Sequence, residues 1–175
     1  MAIAKPRIFI IDTSALFNRI HYAAENIRLA TTPLLEKEMY QKGLKDTLEL
    51  LLATDKLQII EPTAVSLEKI REVALQLGDL SNLSNPDQQL LALALDLSCQ
   101  DFDVVIITDD YSIQNVAQRL SIGYKPASLP GIREIITWET YCGACGHKDP
   151  KLIPEEPCPI CGTPIKRRAI RKQSL

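Results

Sequence analysis

Apolar residues fall along this chain in two alternating rhythms: short unbroken runs, and longer stretches with an apolar position every three or four residues. The first rhythm reads as buried strand and the second as amphipathic helix. RIFIID, residues 7–12, predicts a strand that ends in an aspartate. Thr13 and Ser14 are placed to cap a helix behind it, with Ala15, Leu16 and Ile20 on its inner side. Thr32-Pro33 opens a second helix, over 34–41, which Gly43 ends. Leu44, Leu48, Leu51 and Leu52 mark a third. LQIIEP, 57–62, predicts a strand stopped by Pro62, and Thr63 opens a helix that runs to Gly78. Ser84 or Asn85 caps the next helix, with Pro86 in its first turn and LLALALDL largely buried. VVIIT, 104–108, predicts a central parallel strand, and a helix over 112–120 follows. GYKPAS and REIITWET supply further extended pieces. The βα alternation predicts an α/β fold, a mostly parallel sheet covered by helices on both faces.

Past residue 138 this pattern stops and cysteine takes over. Cys142, Cys145, Cys158 and Cys161 form C-x2-C, twelve residues, C-x2-C, the spacing of a small zinc ribbon in which four thiolates converge on one structural Zn²⁺. Gly143, Gly146 and Gly162 suit the tight turns this needs. Two disulfides are the alternative. The N-terminus MAIAKPRIFIID carries no secretory signal, so a reducing cytosol, and with it metal binding, is expected. Cys99 reads as a packing residue and His147 as a surface residue. The chain divides into a larger domain over 1–137, the ribbon over 138–165 and a basic tail over 166–175.

Charge sharpens this division. The chain has a formal net charge of −2, but residues 1–139 carry −6 and residues 140–175 carry +4. Lys166, Arg167, Arg168, Arg171 and Lys172 lie in one short run, which suits a nucleic-acid contact as well as it suits a solvated terminus. No apolar stretch is long enough to cross a bilayer, so no membrane partner is expected.

Open α/β sheets bind ligands beyond the carboxyl ends of their strands. Asp12 ends the first strand, Asp109 and Asp110 follow VVIIT, Asp87 lies in the first turn of a helix, and Glu36 and Glu38 lie on the helix after Thr32-Pro33. Taken singly, all but Asp12 read as helix caps, dipole partners or solvated charges. Taken together, they suggest a pocket for a hard divalent ion, Mg²⁺ or Mn²⁺, which relieves the repulsion among converging carboxylates.

These residues resemble a known family. IIDTSALFNR looks like the opening of PIN-domain nucleases, LSNPDQQLLALALDL like their central motif, and VVIITDDYSIQNVA like their later T-x-D motif. With the tryptophan-bearing stretch and the C-terminal CxxC pair, the order resembles ribosome-biogenesis endonucleases of the archaeal Nob-one type. The resemblance implies a PIN-like nuclease domain over 1–137. It implies that Asp12, Asp87 and Asp110 bind the catalytic metal, with Asp109 assisting. It favours Glu38, which precedes apolar Met39, over its competitor Glu36. Ser14 matches the hydroxyl residue beside the first aspartate and is placed to hold a carboxylate or a water.

The implied chemistry is metal-assisted hydrolysis of single-stranded RNA. From the resemblance, the substrate is precursor small-subunit rRNA, cut to its mature 3′ end in the cytoplasm. The partners are the pre-ribosomal small subunit and its assembly factors. The ribbon and basic run would grip RNA. Trp138, Tyr141 and Tyr124 have rings that suit base stacking or packing, and Trp138 is expected to seat the ribbon on the larger domain. Two alternatives stand beside this reading: a toxin-like PIN ribonuclease acting on tRNA or mRNA, and a non-catalytic rRNA-binding assembly factor.

Overall fold

A computed structural model describes residues 5–17, 28–128 and 130–174. Ile20, expected on the inner side of the first helix, lies outside the described residues. In chain order the elements are β1 (Arg7–Ile11), α1 (Thr13–Phe17), β2 (Leu29–Thr31), α2 (Pro33–Gln41), α3 (Lys45–Ala53), β3 (Leu57–Ile59) and α4 (Ala64–Leu77). A single 3-10 turn (Leu80–Asn82) follows, then α5 (Asn85–Cys99), β4 (Asp103–Ile107), α6 (Tyr111–Arg119), β5 (Gly123–Lys125), β6 (Glu134–Cys142) and β7 (Ile165–Ser174).

Strands β1 to β5 form one sheet in the order β3-β2-β1-β4-β5, and every pairing in it is parallel. Neighbouring side chains of a strand point to opposite faces. Ile10 and Ile11 are both fully buried, so both faces of the central strand β1 are covered. VVIIT lies next to that centre rather than at it, between β1 and β5. Helix α5 buries Leu90, Leu91, Ala92, Leu93 and Ala94 in succession, the signature of a helix surrounded by protein. It packs on α4 and against β4 and β1. Its apolar surface ends at Leu97, and Cys99, expected as a packing residue, is exposed at the last position.

Local capping chemistry explains most helix starts. The hydroxyls of Thr32, Thr63 and Ser84 accept from the N–H groups of Leu35, Ser66 and Asp87. At α1 the arrangement differs from expectation. Asp12 Oδ1 accepts from the Ala15 N–H at 2.9 Å, while Thr13 and Ser14 lie inside the helix.

The C-terminal segment is not a tail. Residues 165–174 form β7, which pairs antiparallel with β6 from Cys142↔Ile165 to Glu134↔Ser174, with a bulge at Thr137/Trp138. The expected boundary at 137/138 falls inside β6. This ribbon is fastened to the larger domain at several points. Asn115 of α6 donates from Nδ2 to the Ile136 carbonyl at 2.8 Å and accepts at Oδ1 from the Ile136 N–H at 2.9 Å. Gly78, in the left-handed conformation at φ +69°, ends α4 against the Trp138 backbone, where a Cβ would clash with the Trp138 carbonyl. Trp138 thus meets the larger domain where the ribbon was expected to be seated. Among the described residues, no helix is long and apolar enough to cross a membrane.

Candidate active site

The sheet order reverses between β1 and β4, the place where open parallel sheets put their ligands. Ile11 of β1 is in register with Ile107 of β4, so the residues that follow, Asp12 and Thr108, emerge side by side at the carboxyl edge. The Thr108 hydroxyl donates to Asp12 Oδ2 at 2.5 Å and accepts from the Asp110 N–H at 3.1 Å. Ser14 donates to Asp12 Oδ1 at 2.7 Å. Asp12 is only 8% exposed. Burial raises its carboxyl above the usual range, against the Thr108, Ser14 and Ala15 hydrogen bonds that lower it.

Asp87 and Asp110 open α5 and α6. Asp87 Oδ2 accepts from the Ser84 N–H at 2.9 Å and the Ser84 hydroxyl at 2.6 Å, completing a capping box. Asp110 Oδ1 accepts from the N–H groups of Ser112 at 2.6 Å and Ile113 at 3.3 Å. These bonds engage one oxygen of each carboxylate, so capping a helix and facing a cation are compatible roles. Burial raises the Asp87 carboxyl, its bonds to Ser84 lower it, and the charges of Asp110 and Glu38 push it up again. Asp87 therefore feels the charges of Asp110 and Glu38, although both are far from it in sequence.

Glu38 is bound to this group through α1: the Thr13 hydroxyl, next to Asp12, donates to Glu38 Oε1 at 3.2 Å. Lys42, one turn on, donates to the same oxygen at 2.5 Å. Glu36 lies in the first turn of α2, half-buried. Asp109 faces elsewhere. Its Oδ1 accepts from the N–H groups of Ala127 and Ser128, both at 2.9 Å, and its Oδ2 from the Ser128 hydroxyl at 2.6 Å. It pins the loop after β5 beside the site. Gln114 holds the same loop further along, accepting from the Ile132 N–H at 2.9 Å while donating to the Thr108 carbonyl at 2.9 Å.

Thr13 was expected only as a helix cap, and Thr108 and Lys42 were not among the residues that sequence patterning singled out. Neither was Asp79, just past α4 and 2% exposed. Asp79 accepts from Asn115 Nδ2 at 2.5 Å and from the guanidinium of Arg167, which also donates to the Gly78 carbonyl at 2.9 Å. Burial raises the Asp79 carboxyl, the Asn115 and Arg167 hydrogen bonds lower it, and the charge of Asp110 raises it. Asp79 thus lies between the acid cluster and the ribbon.

In the ribbon the two cysteine turns repeat one geometry. Gly146 and Gly162 donate to the carbonyls of Cys142 and Cys158, and the N–H groups of those cysteines donate to the carbonyls of His147 and Thr163. Gly146 and Gly162 have φ of +75° and +74°, whereas Gly143 is not left-handed and needs no such freedom. The four sulfurs come within 4.8 Å of one another. Cys142 and Cys161 are 3.4 Å apart, and Cys145 and Cys158 are 3.7 Å apart. Sulfurs about 2.3 Å from a tetrahedral Zn²⁺ are about 3.8 Å from one another, so the cluster fits that ion. Among the described residues, these are the only metal-ligating atoms gathered so tightly.

The basic run lies along β7. Arg167 turns inward, 16% exposed, with its Cζ 4.2 Å from the centre of the Trp138 ring. Arg168 pairs with Glu139 at 2.6 Å and lies over Tyr141, and Lys172 pairs with Glu134 at 3.2 Å. Lys166 and Arg171 pair with no carboxylate among the described residues.

A family model described as PIN domain of ribonuclease matches residues 9–97. Endoribonuclease Nob1 of Pyrococcus abyssi is 33% identical over 144 residues, covering 82% of this chain and 86% of that protein. Endoribonuclease Nob1 of Methanothermobacter thermautotrophicus is 33% identical over 162 residues, 93% of each. Ribonuclease VapC1 of Thermoplasma acidophilum is 34% identical over 173 residues, 99% of this chain and 84% of that protein, so that similarity extends through the cysteine segment. A parallel sheet with acids at its switch point, joined to a four-cysteine ribbon, and these similarities along most of the chain agree: the protein belongs to the PIN-domain endoribonucleases, in the group that includes archaeal Nob1.

Proposed function

We propose that this protein is the endonuclease that cuts precursor small-subunit rRNA to its mature 3′ end on the pre-ribosomal particle, in the cytoplasm. The observation that carries the nuclease part is the hydrogen-bonded link of buried Asp12 to Asp110 through Thr108 at the β1–β4 switch point, with Glu38 held beside it by Thr13. Burial raises the carboxyls of Asp12 and Asp87, which poises these two to release their protons to a cation. Asp12, Asp87 and Asp110 are the residues that would hold Mn²⁺ or Mg²⁺, which supplies positive charge to the scissile phosphate and activates water for in-line attack. Glu38 faces the same group and is the acid of α2 in this role. Ser14 and Thr108 fix the orientation of Asp12, and Asp109 positions the loop after β5. The four cysteines hold structural Zn²⁺. Lys166, Arg168, Arg171 and Lys172 face phosphates, while Arg167 fastens β7 to Asp79. The relatives named endoribonuclease Nob1 support the rRNA substrate.

A second reading, a VapC-type ribonuclease acting on tRNA or mRNA, is favoured by the match to ribonuclease VapC1. Because that match spans the cysteine segment, the ribbon does not separate the two. One comparison does: incubation of the protein and Mn²⁺ with a precursor rRNA fragment spanning the mature 3′ end, and separately with tRNA. Cleavage at one position in the rRNA alone supports the proposal, and cleavage of tRNA alone overturns it. In the same assay Asp12→Asn and Asp110→Asn abolish cutting. Asparagine is itself a good helix cap, so these variants keep the fold.

A further inference from the structure

The acid cluster carries one cation of its own. Among the described residues, Asp12, Asp87 and Asp110 pair with no Lys or Arg, and Glu38 pairs with Lys42 alone. Lys42 Nζ donates to Glu38 Oε1 at 2.5 Å, the same oxygen that accepts from the Thr13 hydroxyl at 3.2 Å. Thr13 follows Asp12 directly, so two hydrogen bonds tie this ammonium to the residue beside Asp12. The main chain reinforces the placement. Lys42 caps the C-terminus of α2, and its backbone N–H donates to the Glu38 carbonyl at 3.0 Å.

Pairs of this spacing are common on helices, and in water they contribute little. Lys45 and Glu49 on α3 form such a pair, 3.7 Å apart, with side chains 64% and 54% exposed. The Lys42 pair differs in its acid. The Glu38 side chain is 31% exposed and its charge is felt by Asp87, while the Lys42 side chain is 48% exposed and open to an incoming anion. A group of carboxylates repels a phosphodiester, and part of that repulsion is left for the protein to offset. Negative charge also spreads over the phosphoryl oxygens during transfer, and fixed cations beside them lower the barrier. A lysine suits this place because its ammonium has three donors: it can keep Glu38 with one and offer another to a phosphate oxygen.

We propose that Lys42 is a phosphate-binding residue of the active site, whose ammonium stays on Glu38 through one N–H and donates a second to a non-bridging oxygen of the scissile phosphate. The inference rests on the reading of the acid cluster as the nuclease site. It gives Lys42 opposite effects on the two ligands of that site. The ammonium favours the RNA phosphate, and as a like charge it disfavours the divalent ion.

Lys42→Gln in the full-length protein separates these effects. Mn²⁺ affinity, measured without RNA by electron paramagnetic resonance, should tighten several-fold when the ammonium is removed. Single-turnover cleavage of the RNA that the wild type cuts, at Mn²⁺ saturating for both proteins, should fall about tenfold or more. Lys42→Arg should recover most of that loss. Lys45→Gln, which breaks the solvated pair on α3, should change neither quantity. Damage to the fold would weaken metal binding and cleavage together, so tighter Mn²⁺ with slower cleavage reports the charge itself. Cleavage by Lys42→Gln at the wild-type rate, or Mn²⁺ affinity that is unchanged or weaker, overturns the assignment of Lys42 and leaves the acid cluster standing. A wild-type protein that neither binds Mn²⁺ nor cuts RNA removes the nuclease reading and this assignment with it.

Discussion

Thr108 donates its hydroxyl hydrogen to Asp12 across the β1–β4 switch point, at 2.5 Å, and the same oxygen accepts from the Asp110 N–H. One fully buried hydroxyl thus sets the spacing of two acids that arrive on different strands. Thr108→Val keeps the shape and removes both bonds. Leaving the buried Asp12 carboxylate and the part-buried Asp110 N–H short of a partner should cost about 1–3 kcal/mol in denaturant unfolding. Loss of the hydrogen bond that lowers the Asp12 carboxyl should also move the acid limb of the cleavage profile to higher pH. A pH–rate profile and an unfolding curve identical to wild type would show that Thr108 is a bystander.

Asp87 gives a test in which stability and activity move in opposite directions. Its carboxyl lies above the ordinary value of 3.8, chiefly through burial, then through the charges of Asp110 and Glu38. The folded state therefore binds the proton more tightly than the unfolded chain. The stabilisation from that proton is complete below about pH 3.8 and is lost as pH rises through the higher folded value. At neutral pH the ionised group works against the fold. With no Mn²⁺ or Mg²⁺ added, Asp87→Asn should melt above wild type at pH 7, should lose that advantage in acid, and should be inactive. A lower melting temperature at neutral pH would contradict this account.

The ribbon's affinity for zinc should rise steeply with pH. The Thr163 hydroxyl and backbone, then Cys142, draw the Cys161 thiol down to about 6. The His147 backbone pulls Cys145 down too, but burial and the surrounding sulfurs outweigh it and push that thiol up to about 12. Binding must therefore displace protons throughout the neutral range. Competition with a chromophoric chelator should show tighter binding at each step from about pH 6 to about pH 8. Affinity independent of pH would argue that the sulfurs are not the ligands.

Strand β7 predicts a graded response to salt. Arg168 and Lys172 are engaged with Glu139 and Glu134, whereas Lys166 and Arg171 pair with no carboxylate among the described residues. Arg171→Gln and Lys166→Gln should each reduce the slope of log K against log salt by about 0.7, the contribution of one single-strand phosphate contact. Arg168→Gln should reduce it less. Equal slopes in all variants would place RNA on another surface.

How much of this could be read in the residue order depends on the range of the interactions. Helix starts at Thr32, Thr63, Ser84 and Asp110 were legible because a cap and the N–H it satisfies lie within three residues. Asp12, Asp87 and Asp110 were legible because strand ends and helix starts mark the edge of a parallel sheet. Strand β2 was not, because Leu29–Thr31 is too short to carry a period and owes its burial to β1 and β3. Strand β7 reads as a solvated tail because five of its ten positions are Lys or Arg. What makes it a strand is β6, on the far side of the cysteine turns. The Thr108–Asp12 and Arg167–Asp79 pairs are 96 and 88 residues apart, and no local pattern encodes a partner at that distance.

Asp79 has one further consequence. It holds Arg167 of the basic strand and feels the field of Asp110, so a single buried side chain sits between the gripping surface and the cutting edge. With Gly78 against the Trp138 backbone and Asn115 hydrogen-bonded to Ile136, the two parts of the protein meet along a packed, hydrogen-bonded seam. That seam sets the span from the basic strand to the acids, much as the frame of a gauge sets its jaws.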